Sequence, residues 1–322
     1  MRDRREERMA LLKFNDFKEE VVRALREKYD VRVEPVVKNN GLCLTGLIVS
    51  LSKTIERENG ISEVSPTLYA EYMYEEYKSG RTIDEIIEKI TNVVENSNDY
   101  GSELMDTILI VRDFEKVKEF ILPYVINTEL NEEMIKEIPN RQFLDLTIAY
   151  RVFFNREENQ TASILIRNGL MESWNITEEQ LYETAMKNLM AEEKLISIPS
   201  VSDMFTVLTG LAGNNLKDFL INDAVDNKMW VVTNRCKLYG AILMLNKELM
   251  SKLYRGFGKE MIVIPSSVHE LILIDETGIG SGDFDINEMN EIISEINETQ
   301  LQRDEILSNH CYRLTEKGLE IA

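Results

Sequence analysis

Ile264-Pro-Ser-Ser-Val-His-Glu-Leu271 places two hydroxyls, an imidazole and a carboxylate within five residues at a strand junction. A nucleophile needs a base within hydrogen-bond reach, and a tight turn can bring residues two or three apart into that range. Ser266, Ser267, His269 and Glu270 are therefore a candidate hydrolytic group. A plainer reading competes: Ser-Ser ahead of a strand bonds its own backbone, Glu270 faces water, and no nucleophile-elbow motif is present. His310, in Leu307-Ser-Asn-His-Cys-Tyr-Arg313, is the only other histidine. On neighbouring strands the two imidazoles would join Glu270 or Cys311 in an acid/base or metal cluster. No His-Glu-x-x-His motif specifies a metal, and scaffold roles for both histidines stand beside the catalytic one.

Two further runs invite a ligand. Gly278-Ile-Gly-Ser-Gly282 follows a strand, but its spacing is not that of a dinucleotide loop, no Walker lysine is present, and Asp275, Glu276, Asp283 and Asp285 would repel a phosphate. Asp283-x-Asp-x-Asn287 opens like a calcium loop but lacks its glycine and terminal glutamate. No cofactor is expected, and the question of a metal stays open.

The elements that must carry these residues follow from periodicity. Leu12, Phe14, Phe17, Val21, Leu25 and Tyr29 recur at helical spacing, while Val31–Val37 and Leu42–Val49 flank Asn39-Asn40-Gly41 as a hairpin. Pro35 assigns the first of these strands to a sheet edge. Ser65-Pro66 predicts the start of a helix that stops at Gly80, and Thr82-Ile-Asp-Glu85 is a capping box for the next. Residues 102–137 read as short helices broken by Pro123. Phe143–Phe154 and Ala162–Ile166 form a second predicted hairpin, and Thr177-Glu-Glu-Gln180 caps a helix presenting Leu181, Ala185 and Leu189.

Beyond a punctuated stretch at 195–227, Met229–Thr233 and Leu238–Leu245 read as a hairpin, Lys247–Tyr254 as a helix closed by Gly256, Met261–Ile264 and Val268–Ile274 as strands, 286–298 as a helix and Tyr312–Leu314 as a strand. The fold class is α+β, with mixed, largely antiparallel sheets built from hairpins with packed helices. The expected division is an N-terminal domain at 1–194, a connector at 195–227 and a C-terminal domain at 228–322.

With 57 acidic against 37 basic residues, the net charge of −20 disfavours free nucleic acid and anionic membrane surfaces. No apolar run approaches the roughly 18 residues of a membrane span, and no signal-peptide pattern opens the chain. A cytoplasmic location is expected. Cys43, Cys236 and Cys311 are odd in number and widely spaced, which argues against a disulfide framework. Between Asp275 and Glu305 lie ten acidic residues and one basic residue, Arg303. This segment is either a solvated face or a docking surface for a basic protein. Tyr69, Tyr72, Tyr74 and Tyr77 cannot all face one direction on a helix, so one or two should be exposed.

Taken with the Asn39-Asn40-Gly41 hairpin, several blocks carry a family resemblance: Ser65-Pro-Thr-Leu-Tyr69, Glu75-Glu-Tyr-Lys-Ser-Gly80, Ile138-Pro-Asn-Arg-Gln-Phe-Leu-Asp-Leu146, Ile264-Pro-Ser-Ser-Val-His-Glu270, Ile296-Asn-Glu-Thr-Gln300 and Leu307-Ser-Asn-His-Cys-Tyr312. The chain resembles, over nearly its whole length, a clostridial family classed as domain of unknown function 5688. Asp145–Tyr150, Trp174–Tyr182 and Asn188-Leu189 are more distantly similar to another uncharacterised, bacillar family. Neither resemblance implies a reaction, cofactor, partner or site residue.

The leading expectation is thus a protein acting by protein–protein contact. The alternatives are a hydrolase or metal-assisted enzyme using Ser266, Ser267, His269, Glu270 and His310, and an acidic nucleic-acid mimic that inhibits a nucleic-acid-binding enzyme. Oligomeric state is not legible.

Overall fold

The computed structural model describes residues 11–50, 67–96, 110–157, 160–191, 196–197, 229–234, 236–275 and 285–322. They form an α+β fold in which every strand pairing is antiparallel. The chain divides into two compact units, one of residues 1–38 with 42–109 and one of 39–41 with 110–322.

In the first unit, helix α1 (Phe14–Arg26) is followed by strands β1 (Asp30–Val37) and β2 (Cys43–Ser50). Asn40 and Gly41 turn the hairpin with φ of 56° and 64°, conformations that asparagine and glycine tolerate. Among the described residues β1 pairs only with β2, which satisfies Pro35: a residue with no N–H to donate needs an edge. The helix expected from Ser65-Pro66 starts later. Thr67–Tyr69 is a short strand, β3, on the other side of β2, and helix α2 runs Ala70–Lys78, while Ser65 and Pro66 lie outside the described residues. Helix α3 (Ile83–Asn96) opens on the capping box: Glu85 accepts from the Thr82 amide at 2.8 Å, and Thr82 Oγ1 accepts from the Glu85 amide at 3.3 Å.

Phe17, Val21, Leu25, Leu47, Val49, Ile86, Ile90 and Val94 make the buried centre of this unit. Tyr74 and Tyr77 pack on Phe14 and Phe17, and the Tyr74 hydroxyl donates to the Leu12 carbonyl at 2.9 Å. Tyr72 is left exposed, as the helical spacing required.

Among the described residues the second unit holds two sheets. In one, β4 (Ile121–Asn127) and β5 (Arg141–Phe143) flank β6 (Leu146–Glu157), which also pairs with β7 (Gln160–Leu165). Pro123 therefore lies in a strand and not in a broken helix. β4 is an edge, where a missing N–H costs no ladder bond. The Thr177 to Gln180 box caps helix α4 (Glu178–Ala191), which buries Leu181, Ala185 and Leu189.

The other sheet runs β13-β12-β10-β11-β9-β8, from Gly318–Ile321, Tyr312–Thr315, Met261–Ser267, Glu270–Ile274, Met229–Asn234 and Ile196–Ser197 respectively. The predicted strand at 238–245 is corrected to a 3-10 helix at Gly240–Leu245 with all six residues buried. A continuous apolar run carries no period that separates strand from buried helix. Helix α5 (Lys247–Phe257) runs through Gly256 and ends at Gly258, whose φ of 69° supplies the left-handed stop. Helix α6 (Ile286–Thr299) is capped by the Asp285 side chain and lays Met289 and Ile293 on Val231, Ile262, Ile272 and Ile274.

One hydrophobic core joins residues 111–189 to residues 232–314. The compact units thus part near residue 110, whereas the expected 195–227 connector lies, apart from Ile196–Ser197, outside the described residues.

Candidate functional site

Phe143 and Leu146 face each other across the β5–β6 turn, leaving Leu144 and Asp145 at its tip. Leu144 has a φ of 54°, a conformation costly for a branched side chain. The turn projects Asp145 toward the segment leading into β12. That segment is pinned by three asparagines: Asn127 Nδ2 donates to the Leu307 carbonyl at 2.9 Å, Asn297 Nδ2 to the Ser308 carbonyl at 3.0 Å, and Asn290 Oδ1 accepts from the Cys311 amide at 2.9 Å. Each replaces a ladder bond that an irregular chain lacks.

The result is one carboxylate with three side-chain donors. Asp145 Oδ2 accepts from Ser308 Oγ at 2.6 Å and from His310 Nδ1 at 3.1 Å, and Oδ1 accepts from the Tyr312 hydroxyl at 2.6 Å. Ser308 Oγ also accepts from the His310 amide at 2.9 Å. Burial of Tyr312, and then the charge of Asp145, push its phenol pKa far up, so the hydroxyl stays protonated and remains a donor. The His310 side chain is 52% exposed, with Nδ1 turned to Asp145.

His269 is held differently. It sits in the two-residue turn of the β10–β11 hairpin, where Ser267 pairs with Glu270. Its Nδ1 accepts from the Tyr239 amide at 3.1 Å, which leaves Nε2 to carry the proton, 3.5 Å from Glu305 Oε1. Both ring nitrogens are engaged. Ser267 Oγ accepts from the His269 amide at 3.0 Å, the side-chain-to-backbone turn bond of the plainer reading. Ser266 is half-buried at the bulge between Ile264 and Ser267, where Pro265 is also accommodated. Burial raises the Glu270 carboxyl, against the pull of His269, and the nearby Glu305 raises it further.

The five candidates therefore do not share one arrangement. Ser267, His269 and Glu270 stay at the hairpin turn, while His310 shares no partner with His269 and pairs with Asp145. Cys311 is buried. Among the described residues no group of three or more His, Cys, Asp or Glu side chains is placed to hold a metal ion. Gly278–Gly282 and Asp283 lie outside the described residues. Asp145 escaped sequence reasoning because it reads as part of the Phe143–Phe154 strand. Its one signal is an acid near the start of a run rich in aromatic and β-branched residues, whose only other charge is Arg151.

A family model described as a family of unknown function, DUF5688, matches residues 14–315. The chain belongs to this family. No curated protein and no solved structure matches it. The DUF5688 region takes in Asp145, His269, Ser308, His310 and Tyr312, and the family description attaches no reaction to them.

Proposed function

We propose that this DUF5688 protein acts by docking a basic protein surface on the outer face of α6. The observation that carries the reading is a stripe: Glu288, Glu291, Glu295 and Glu298 recur at spacings of three, four and three, all exposed. They lie opposite Met289, Ile293 and Asn297, which face the core. No Lys or Arg occurs within the helix. Carboxylates in such a row raise a local negative potential that steers a cationic partner and is screened within a Debye length of about 8 Å at physiological salt.

Asp275, at the start of the acidic segment, is not part of this surface, since it is buried and paired with Lys259. A cytoplasmic site of action accords with Cys43, Cys236 and Cys311, none of which is in a disulfide. Among the described residues no helix is long and apolar enough to cross a membrane.

The test is binding of a Lys/Arg-rich peptide to the whole chain, followed by fluorescence anisotropy. Wild type is expected to bind at low salt and to lose roughly tenfold or more in affinity by 200 mM salt. The combined Glu288→Gln, Glu291→Gln, Glu295→Gln, Glu298→Gln variant should bind far more weakly. Equal binding by wild type and variant would overturn the proposal.

A further inference from the structure

We propose that His310 is a general acid–base group, held by Asp145 as its positioning residue, at a surface site that hydrolyses uncharged or cationic acyl esters. The geometry separates the two histidines by the work their nitrogens already do. In His269, Nδ1 accepts a backbone proton and Nε2 faces Glu305, so neither nitrogen has a lone pair to offer. In His310, Nδ1–H donates a hydrogen bond to Asp145, which leaves the lone pair on Nε2 of a ring whose side chain is half exposed. A carboxylate behind Nδ1 fixes tautomer and ring orientation and stabilises the imidazolium formed when Nε2 takes a proton.

Asp145 is itself held on both oxygens. Ser308 and Tyr312 donate at 2.6 Å each, so the carboxylate cannot swing away when the imidazole moves. Ser308 is fully buried and spends its proton on Asp145, which removes it as nucleophile and leaves water in that role. Leu144, whose φ of 54° a two-residue hairpin turn demands, places Asp145 at the tip of that turn beside the imidazole.

The reaction balances without a cofactor. Water gives a proton to Nε2 as its oxygen bonds the acyl carbon; the tetrahedral adduct then breaks its bond to the leaving oxygen, and the imidazolium returns the proton to that oxygen. Substrate charge is set by the neighbourhood. The 308–311 segment lies along α6 through Asn290 and Asn297, and the exposed face of that helix is anionic, so an ester carrying its own negative charge is repelled.

The experiment measures hydrolysis of p-nitrophenyl acetate, and of an anionic p-nitrophenyl hemisuccinate, by the full chain. Wild type should turn over the neutral ester above the buffer rate and the anionic one more slowly. His310→Gln, at a half-exposed position, should stay folded by circular dichroism and lose the activity. Asp145→Asn should lower kcat by roughly a hundredfold with little change in KM, because it upsets the tautomer and not the binding of substrate. Should Asp145→Asn fail to fold, diethyl pyrocarbonate labelling of wild type decides the same point: His310 should be modified before His269. Absence of turnover in wild type, full turnover in His310→Gln, or labelling of His269 first would each overturn the proposal.

Discussion

Asp145 shows how much a single side chain can carry. Its carboxylate receives hydroxyls from Ser308 and Tyr312, both in residues that are fully buried, and an imidazole that is half exposed. Removing an acceptor strands the buried donors, whereas removing the exposed donor strands nothing. Asp145→Ala should therefore cost about 2–4 kcal/mol in urea unfolding, from two orphaned hydroxyls, while His310→Ala should cost less than about 1 kcal/mol. Equal costs would contradict the hydrogen-bond assignment. Glu270 makes the opposite kind of contribution. Its carboxyl is raised chiefly by burial, so the folded state favours the neutral acid. The stability this group lends is complete below its unfolded value of 4.5 and is lost as pH rises through the higher folded value. Glu270→Gln should therefore have a higher urea midpoint than wild type at pH 7, with the difference shrinking as pH falls through the raised folded value toward 4.5 and gone below it.

At the level of elements, the buried 3-10 segment depends on one close approach. A Cβ on Gly240 would sit 2.8 Å from the Asn234 amide and nearer still to Thr233 Oγ1 and the His269 carbonyl. Two of these three atoms are backbone, and Thr233 Oγ1 already donates to His269 O at 2.8 Å, so nothing there yields cheaply. Gly240→Ala should destabilise by about 3 kcal/mol, read as a lower thermal midpoint. Helix α6 depends on its start in a gentler way. Asp285 Oδ1 accepts from the Asn287 amide at 2.8 Å, and Asp285→Ala should cost about 1 kcal/mol by chemical denaturation. The same sort of local chemistry made the Thr82 and Thr177 boxes and the Asn-Gly turn readable without any tertiary information.

For the whole molecule, the second unit is bound by one core that draws on both sides of the 195–227 stretch. Leu122, Leu146, Val152 and Leu189 share that core with Val232, Leu243, Leu271 and Leu314. A chain ending at residue 194 would leave the first group without its apolar neighbours, at roughly 25 cal/mol for each Å² returned to water. Such a truncation should lose the native β-sheet signal of residues 110–191 and the dispersed amide spectrum that goes with it. Retention of both would show that residues 110–191 fold alone. The net charge of −20 acts at this scale as well, since it sets which partners can approach before any contact is made.

The sequence by itself determined the features whose causes lie within a few residues: the caps of α3 and α4, the Asn40-Gly41 turn, the buried faces of α1 and α4, the edge position of Pro35 and the excess of negative charge. The antiparallel α+β class follows from these, because hairpins and amphipathic helices announce themselves by period. Only the tertiary structure decided that Pro123 sits in a strand, that Gly240–Leu245 coils instead of extending, and that His310 answers to a carboxylate 165 residues away. The physical reason is the same in each case. A fully buried apolar run has no period to read, and a hydrogen bond between distant residues is set by how sheets meet, which no local spacing encodes.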